Sequence, residues 1–180
     1  EPERRTLRGA AVWGDLVPVE TLGRLLETEP ARLSPPLETL CAADWLIETS
    51  PGVFTFRDTS DREAVLTAFA PAYERAAMER RVSELCVADG VPGSAGYHLE
   101  RAGDIDGAAV LYQEALKIAD TPAGVIRWTE ALTTLGRTPS EPAVPAQAYA
   151  DTGDWLNARL WWTRAVEATE NRGFFLLQLA

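Results

Sequence analysis

Apolar residues recur at helical spacing along most of the chain, and the breaks between them mark the predicted elements. Residues 6–27 contain two amphipathic helical patterns that are separated at Gly14. A third helix is predicted to begin with Ser34 as its N-cap and Pro35 in its first turn, and to end before Trp45. The N-terminal part of the chain therefore predicts three consecutive helices.

The pattern changes to extended segments over residues 45–58, where WLIETS and VFTFRD flank a Pro-Gly turn. Valine, threonine and phenylalanine favour strands, so this stretch predicts a small β-hairpin. Helical patterns return over residues 61–69 and from Pro71 to Cys86, and the Gly- and Pro-containing cluster at residues 89–93 ends them. Three helices followed by a hairpin is the element order of a winged helix.

One stretch of the chain returns in altered form fifty positions later. HLERAGDIDGAAVLYQEAL, residues 98–116, becomes AYADTGDWLNARLWWTRAV, residues 148–166, with a Gly-Asp pair, alanines and an aromatic residue at matching places. This skeleton predicts two helical hairpins, each with Gly-Asp at its turn and an apolar stripe on its second helix. The predicted stripe residues are Ile105, Ala108, Ala109, Tyr112, Ala115, Leu116 and Ala119 in the first copy, and Trp155, Ala158, Trp162, Ala165, Val166 and Thr169 in the second.

Helical hairpins of this kind cannot bury their apolar faces alone, so they stack into arrays. The Gly, Ala, aromatic, Ala spacing resembles the tetratricopeptide repeat, although that repeat has a period of about 34 residues. A further helical pattern over residues 121–135 accounts for the longer interval in this chain. The alternative is an ordinary helical bundle in which the echo is a coincidence.

The whole pattern predicts a mainly α-helical chain in three parts. Residues 1–60 form a winged-helix domain of three helices and a small β-hairpin, residues 61–90 form connecting helices, and residues 91–180 form an irregular tetratricopeptide-like array. The chain begins without a methionine and ends on the apolar run GFFLLQLA, which indicates an excised fragment with a truncated array. An exposed apolar terminus also predicts that copies associate into a homo-oligomer.

Composition and charge narrow the functional classes. The 180 residues are 46% hydrophobic and carry a formal net charge of −10, which disfavours binding to phosphate backbones. No apolar run approaches the roughly 20 residues that cross a bilayer, so no membrane partner is expected. Cys41 and Cys86 lie in apolar helical patterns, which predicts two buried thiols in the reducing cytoplasm, with a disulfide as the alternative.

The middle of the chain resembles a known family. The segment FTFRDTSDREAVLTAFAPAYERAAMERRVSEL, residues 54–85, and YHLERAGDIDGAAVLYQEAL, residues 97–116, resemble the join between winged-helix and repeat regions in STAND signal-transduction ATPases. These include the large LuxR-type and SARP-type bacterial transcriptional regulators. LCAADWLIETSPGVFTF, residues 40–56, is similar to the third helix and wing of that region, so the resemblance extends over about residues 7–116.

This resemblance implies a nucleotide-binding module upstream, with ATP or ADP as its cofactor. The winged helix would latch that module, and the repeats would bind a protein or small effector. No G-x-x-x-x-G-K-[ST] motif occurs in this chain, so the segment itself is expected to hold no cofactor and to hydrolyse no nucleotide. Many relatives have a histidine after Phe-Arg at the end of the wing, where this chain has Asp58, whose carboxylate would repel phosphate.

Arg57 is the remaining candidate for contact with a nucleotide held by the missing module. The alternative is a surface ion pair of Arg57 with Asp58 or Asp61. A winged helix also raises a second hypothesis, a DNA-binding transcription factor with a tetratricopeptide-like dimerisation region. Residues 31–50 oppose it, because one arginine faces three carboxylates and the net charge is −2, so DNA binding by this segment is disfavoured.

The sequence contains few candidate catalytic or metal-binding residues. His98 is the only histidine and has no metal-ligand spacing to a cysteine, and Ser94 lacks the G-x-S-x-G setting of a nucleophile elbow. A non-catalytic segment without a metal is therefore predicted. His98 is expected to pack or to touch a partner, and Trp161 is expected to contact an adjoining helix or a partner, because Trp162 takes the core position beside it. Burial of Trp161 near Phe174 and Phe175 is the alternative.

Overall fold

The structure is a computed structural model of the chain, and it describes residues 1–68 and 72–168. Within those ranges it contains ten α-helices and one three-stranded sheet. The chain divides into two compact units. Unit 1 comprises residues 1–90 and 97–104, and unit 2 comprises residues 91–96 and the chain from residue 105 onward. The mainly α-helical fold class predicted from the sequence is confirmed.

The elements follow one another along the chain with short connections. They are α1 (Pro2–Trp13), β1 (Val17–Pro18), α2 (Val19–Leu26), α3 (Pro30–Ala42), β2 (Leu46–Ser50), β3 (Val53–Phe56), α4 (Thr59–Thr67), α5 (Ala72–Ala88), α6 (Pro92–Arg101), α7 (Ile105–Ile118), α8 (Pro122–Thr134), α9 (Ala143–Asp151) and α10 (Trp155–Ala168).

In unit 1 the helix α1 lies at the centre and packs against α2, α3, α4 and α5. Its small buried residues allow this close packing, since Ala10 and Ala11 are fully buried. At Gly9 a Cβ atom would lie 3.0 Å from Leu22 Cδ1 of α2. The break predicted at Gly14 is confirmed, because α1 ends at Trp13 and α2 begins at Val19.

The predicted β-hairpin is confirmed as β2 and β3, which pair in antiparallel register. A third strand was not predicted: β1 pairs with the other edge of β3, with Val17 opposite Phe54 and Pro18 opposite Val53. Two residues are too few to show an alternating pattern, and a proline is typical of an edge strand. The sheet order is β1-β3-β2.

The start predicted for the third helix is wrong. α3 begins at Pro30, and Ser34 lies inside the helix rather than at its N-cap. Pro35 and Pro36 also lie inside it, although each lacks the N–H that a helix interior uses. Burial of Pro36 together with neighbouring leucines offsets that loss, so tertiary packing extends the helix past its local stop signals.

The helices after the hairpin agree with the pattern. α4 begins at Thr59, two residues earlier than predicted, because Asp58 caps it. The first of these helices was predicted to end at Phe69 and the second to begin at Pro71. Both residues lie outside the described residues. α5 ends at Ala88, and Pro92 begins α6.

The fifty-residue echo is also present in the backbone. α7 begins at residue 105 and α10 begins at residue 155, so their starts differ by fifty. Gly103 and Gly153, in the turns before them, have φ of 82° and 80°. In each turn the N–H of the following aspartate donates to a carbonyl five residues earlier at 2.9 Å. Both glycines are therefore in the left-handed conformation that ends the preceding helix.

In unit 2 the additional helix predicted over residues 121–135 is confirmed as α8, which packs against α7 and α9. The ring of Tyr112 stacks on Trp128 of α8 with a centroid distance of 5.8 Å. A Cβ at Gly96 would lie 2.8 Å from the Tyr112 ring, and the matching pair in the second copy, Ala146 and Trp162, shares one buried cluster.

Most predicted stripe residues are buried, Ala119 and Val166 are half-buried, and the two exposed residues lie at the helix starts. Ile105 is 39% exposed and Trp155 is 71% exposed. Both are the first residues of their helices, where no preceding turn lies beneath the side chain. Thr169, the last predicted stripe residue, lies outside the described residues.

Candidate interaction surface

The residues predicted to contact a nucleotide lie at the end of the hairpin in unit 1. The sequence suggested Asp58 or Asp61 as the ion-pair partner of Arg57. The structure pairs Arg57 with Asp44 instead. Asp58 is the N-cap of α4, and its carboxylate accepts hydrogen bonds of 2.9 Å from the backbone N–H and the hydroxyl of Ser60. These hydrogen bonds lower the pKa of Asp58. Both side chains thus have local structural partners.

The surface of α3 is the place where a winged helix would read DNA. Its one arginine, Arg32, lies 3.6 Å from the carboxylate of Glu29. A groove of about 440 Å³ beside α3 is lined by Leu37, Leu46 and Phe54, and the charged residues on its lining are Glu38, Glu48 and Arg57. Arg57 already forms an ion pair with Asp44, and the two carboxylates repel phosphate, so the geometry adds to the charge argument against DNA.

His98 lies in a buried polar cluster of unit 1. Its Nδ1 atom is 2.8 Å from Glu79 Oε2, and Arg101 Nε donates to Glu79 Oε1 at 3.0 Å. Glu79 is fully buried and His98 is 5% exposed. His98 was expected to pack or to touch a partner, and its buried imidazole packs against Glu79 within the chain. Glu79 could not be predicted as its neighbour, because the two residues are nineteen positions apart on separate helices.

Electrostatics favour the ionised form of the Glu79 carboxylate. Burial raises the pKa of Glu79, but hydrogen bonds from His98 and Arg101 and their charges lower it more, so the pKa lies below the ordinary glutamate value. Arg75 adds a second guanidinium 3.5 Å from the same carboxylate. A buried charge with several partners of this kind anchors the helices that carry it.

Trp161 is 3% exposed and belongs to the same buried cluster of unit 2 as Trp162. Trp161 was expected to contact an adjoining helix or a partner, and it lies in the same cluster as Ala146 and Tyr149 of α9. Adjacent residues of a helix point about 100° apart, and the cluster around α10 is wide enough to enclose both indoles. The guanidinium of Arg164 lies 4.4 Å from the Trp161 ring centroid. Phe174 and Phe175, named as alternative neighbours, lie outside the described residues.

A different tryptophan is exposed on α10. Trp155 is 71% exposed, Leu156 is 82% exposed and Leu160 is 47% exposed, and these three residues are named the Trp155 patch. At the corresponding positions in α7, Ile105 and Val110 are also exposed, although α8 packs against that helix. In the first copy these positions therefore stay exposed although a following helix packs against α7.

A groove of about 370 Å³ lies beside the Trp155 patch, between α9 and α10. Ala150 and Ala158 line it together with Trp155 and Trp162, and the charged residues on its lining are Asp151 and Arg159. Gln147 Nε2 donates to Asp151 Oδ1 at 2.7 Å, which orients that carboxylate. The groove combines aromatic surface with oriented polar groups, as binding sites do.

The sequence did not single out Trp155, because its position fitted the buried stripe. The signal was its place directly after Asp154, which accepts from the backbone N–H of Asn157 at 3.2 Å and so caps α10. A residue in the first turn of a helix has fewer neighbours than one in the middle. An aromatic residue there is a candidate for surface recognition.

Other chemistry has little support in the described ranges. Residues 1–68 and 72–168 contain no group of three His, Cys, Asp or Glu residues arranged to hold a metal ion. No helix in those ranges is both long enough and apolar enough to cross a bilayer. Cys41 and Cys86 are free thiols, and burial raises the pKa of both.

Comparison of the chain with protein-family models, with curated proteins and with solved structures finds no match. The function is therefore argued from the residues and their geometry.

Proposed function

We propose that this chain is a non-catalytic regulatory and protein-interaction segment of a STAND-type signalling ATPase or transcriptional regulator. Unit 1 is a degenerate winged helix that latches a nucleotide-binding module, and unit 2 belongs to a tetratricopeptide-like array that binds a partner. The observation that carries the interaction function is the Trp155 patch, because exposed large apolar side chains on one helix beside a groove are typical of a docking site.

The element order of unit 1 supports the winged-helix part of the proposal. Helix, short strand, two helices and a β-hairpin follow one another, and the short strand completes a three-stranded sheet. The acidic surface of α3 favours a latch over a DNA reader, since it offers carboxylates where a reading helix needs donors for phosphates and bases.

The repeated copies support the array. Each has a helix, a turn with a left-handed glycine, and a second helix with alanine and an aromatic residue facing inward. α8 packs between them in sequence order, which is how solenoid arrays grow.

The nucleotide implied by the resemblance belongs to the upstream module. Arg57 and Asp58 do not form a phosphate site, because the guanidinium faces Asp44 and the carboxylate of Asp58 would repel phosphate. The latch in this proposal therefore acts through contact with the module and not through these two side chains. The two free cysteines favour a reducing compartment such as the cytoplasm.

Two measurements test this proposal. Fluorescence anisotropy with a library of labelled DNA duplexes at about 150 mM salt is expected to show no sequence-selective binding, and selective binding would favour the DNA-binding alternative.

Quantitative capture from the native host is expected to recover a defined partner with the wild-type chain and to lose it with the Trp155→Ala, Leu156→Ser double variant. Val110→Ser, at an exposed apolar position of the first copy, is the matched control. Equal capture by all three chains would refute the patch as the docking site.

A further inference from the structure

We infer that the groove between α9 and α10 binds the guanidinium of an arginine side chain presented by a partner polypeptide. This inference rests on the proposed function, since it names the chemistry of the partner that the array receives. The groove places Trp155 and Trp162 on one lining with the carboxylate of Asp151. An indole face and a carboxylate are the two groups that a guanidinium prefers.

The same chain shows this chemistry internally. In unit 1 the guanidinium of Arg101 lies 5.3 Å from the Tyr97 ring centroid, and its Nε donates to Glu79 at 3.0 Å. In unit 2 the guanidinium of Arg127 lies 4.7 Å from the Trp128 ring. Aromatic rings in this protein thus repeatedly hold arginine, and a carboxylate completes the site at Arg101.

The fifty-residue correspondence indicates where the second copy differs. Position 151 corresponds to position 101, and it carries an aspartate where the first copy carries the arginine. Gln147 orients that aspartate with a hydrogen bond of 2.7 Å, and the next turn presents Trp155 to solvent. The second copy thus supplies carboxylate and ring. Among the described residues Asp151 forms no ion pair with Arg159 of the same lining, so its carboxylate can accept a guanidinium from another polypeptide.

Charge and size agree with such an occupant. The chain has a net charge of −10, which raises the encounter rate of a basic partner. The volume of about 370 Å³ accepts an arginine side chain with part of its backbone. Arg159 on the same lining opposes a second guanidinium, but it is exposed and can turn to solvent. Its charge should weaken binding without blocking the groove.

The test is an NMR titration of the ¹⁵N-labelled full chain with N-acetyl-arginine methylamide, followed at the backbone amides of α9 and α10. Saturable shifts are expected, with a dissociation constant on the order of 1 mM. Asp151→Asn should weaken binding about threefold, Trp155→Ala about fivefold, and Arg159→Gln should tighten it about twofold. Val110→Ala is the control, since Val110 is exposed on α7 in the first copy and lies outside the groove lining.

The neutral isostere N-acetyl-citrulline methylamide distinguishes charge from shape. Binding of the arginine probe at least threefold tighter than the citrulline probe supports the inference. Equal binding of both probes, no saturable binding, or unchanged affinity in Trp155→Ala would overturn it. The DNA titration of the same sample separates the two proposals. A chain that ignores both DNA and the arginine probe refutes the arginine site alone, whereas sequence-selective DNA binding refutes the regulatory function.

Discussion

The two copies of the helix-turn-helix pair have the same backbone plan and different anchoring chemistry. The first copy, residues 92–118, uses charge, because His98 and Arg101 both bind the buried carboxylate of Glu79. The second copy, residues 142–168, has Ala148 at the position of His98, and Asp151 at the position of Arg101 is exposed. Its anchoring comes from an apolar cluster that contains both Trp161 and Trp162.

The positions that the copies share are those where helix geometry leaves little choice. The turn glycines have positive φ in both copies, and the buried alanines at 108 and 158 allow close approach. Everything else on the helices is free to change, provided that it finds a partner. The glycines and alanines that the copies share therefore set the paths of the helices, whereas the residues that differ between the copies determine their contacts.

The largest effect is expected from Trp162→Ala in the second copy. Loss of this buried indole should lower the free energy of unfolding by about 4 kcal/mol, through lost burial and the cavity left behind. Urea unfolding followed by circular dichroism measures it. Trp162→Phe is the control and should lose less than half as much. A loss below about 1 kcal/mol for Trp162→Ala would show that the apolar anchor of the second copy is not Trp162.

Glu79→Ala should break the anchor of the first copy. It leaves the buried groups of His98 and Arg101 without their carboxylate, which should cost about 3 kcal/mol in unfolding free energy. Glu74→Ala on the same helix is the matched control. The Glu74 side chain is 43% exposed, so its ion pair with Arg8 should contribute less than about 1 kcal/mol. Equal losses in the two variants would contradict the anchoring role of Glu79.

Gly96→Ala should lower the free energy of unfolding, although replacing glycine by alanine in a helix usually raises it. Alanine normally stabilises a helix by about 1 kcal/mol, but here its Cβ would lie 2.8 Å from the Tyr112 ring. Because that ring is buried and stacked on Trp128, a net loss of about 2 kcal/mol is expected in urea unfolding. Ala146→Gly, at the corresponding position, should lose about 1 kcal/mol from helix propensity and about 1 kcal/mol more from the buried methyl group. A stabilised Gly96→Ala variant would refute the close approach.

The carboxylate of Glu79 should also make unfolding depend on pH. Because its pKa is lowered in the folded chain, its contribution is present above the ordinary glutamate pKa and is lost as the pH falls through the lowered value. Urea unfolding of the wild-type chain and of Glu79→Gln from pH 7 into the acid range measures this contribution. The stability difference between them should narrow on acidification, and a difference that stays constant would contradict the prediction.

The smallest effect on stability is expected from Trp155→Ala. The indole is 71% exposed, so its loss should change the unfolding free energy by less than about 0.5 kcal/mol. The same urea experiment compares it directly with Trp162→Ala, seven residues later on the same helix. A loss of 2 kcal/mol or more would mean that Trp155 stabilises the fold, and the patch would no longer be a candidate for binding.

Most helices could be predicted because their apolar spacing is local information. α7 and α10 follow from the repeated skeleton, and the Gly-Asp pairs mark their starts. The start of α3 and the strand β1 could not be predicted. Burial of Pro36 overrides the local stop signal in α3, and β1 is defined only by its pairing with β3.

The candidate site shows the same limit. Helical spacing of apolar residues predicted that Trp155 lies in the core. Spacing does not show how many side chains pack around a position, and in the first turn of α10 Trp155 is left exposed. His98 and Trp161 were candidates for a partner because the sequence does not show what lies across from a helix. Glu79 and the cluster around Trp162 supply those neighbours.

Local patterns were enough to predict the helical class, the hairpin after the third helix and the repeated skeleton, because glycine turns and small residues act through local backbone geometry. Which aromatic and charged residues are buried, and which face solvent, follows only from the packed fold. Burial depends on side chains brought together from distant positions, as Glu79 and His98 are, and no local pattern contains that information.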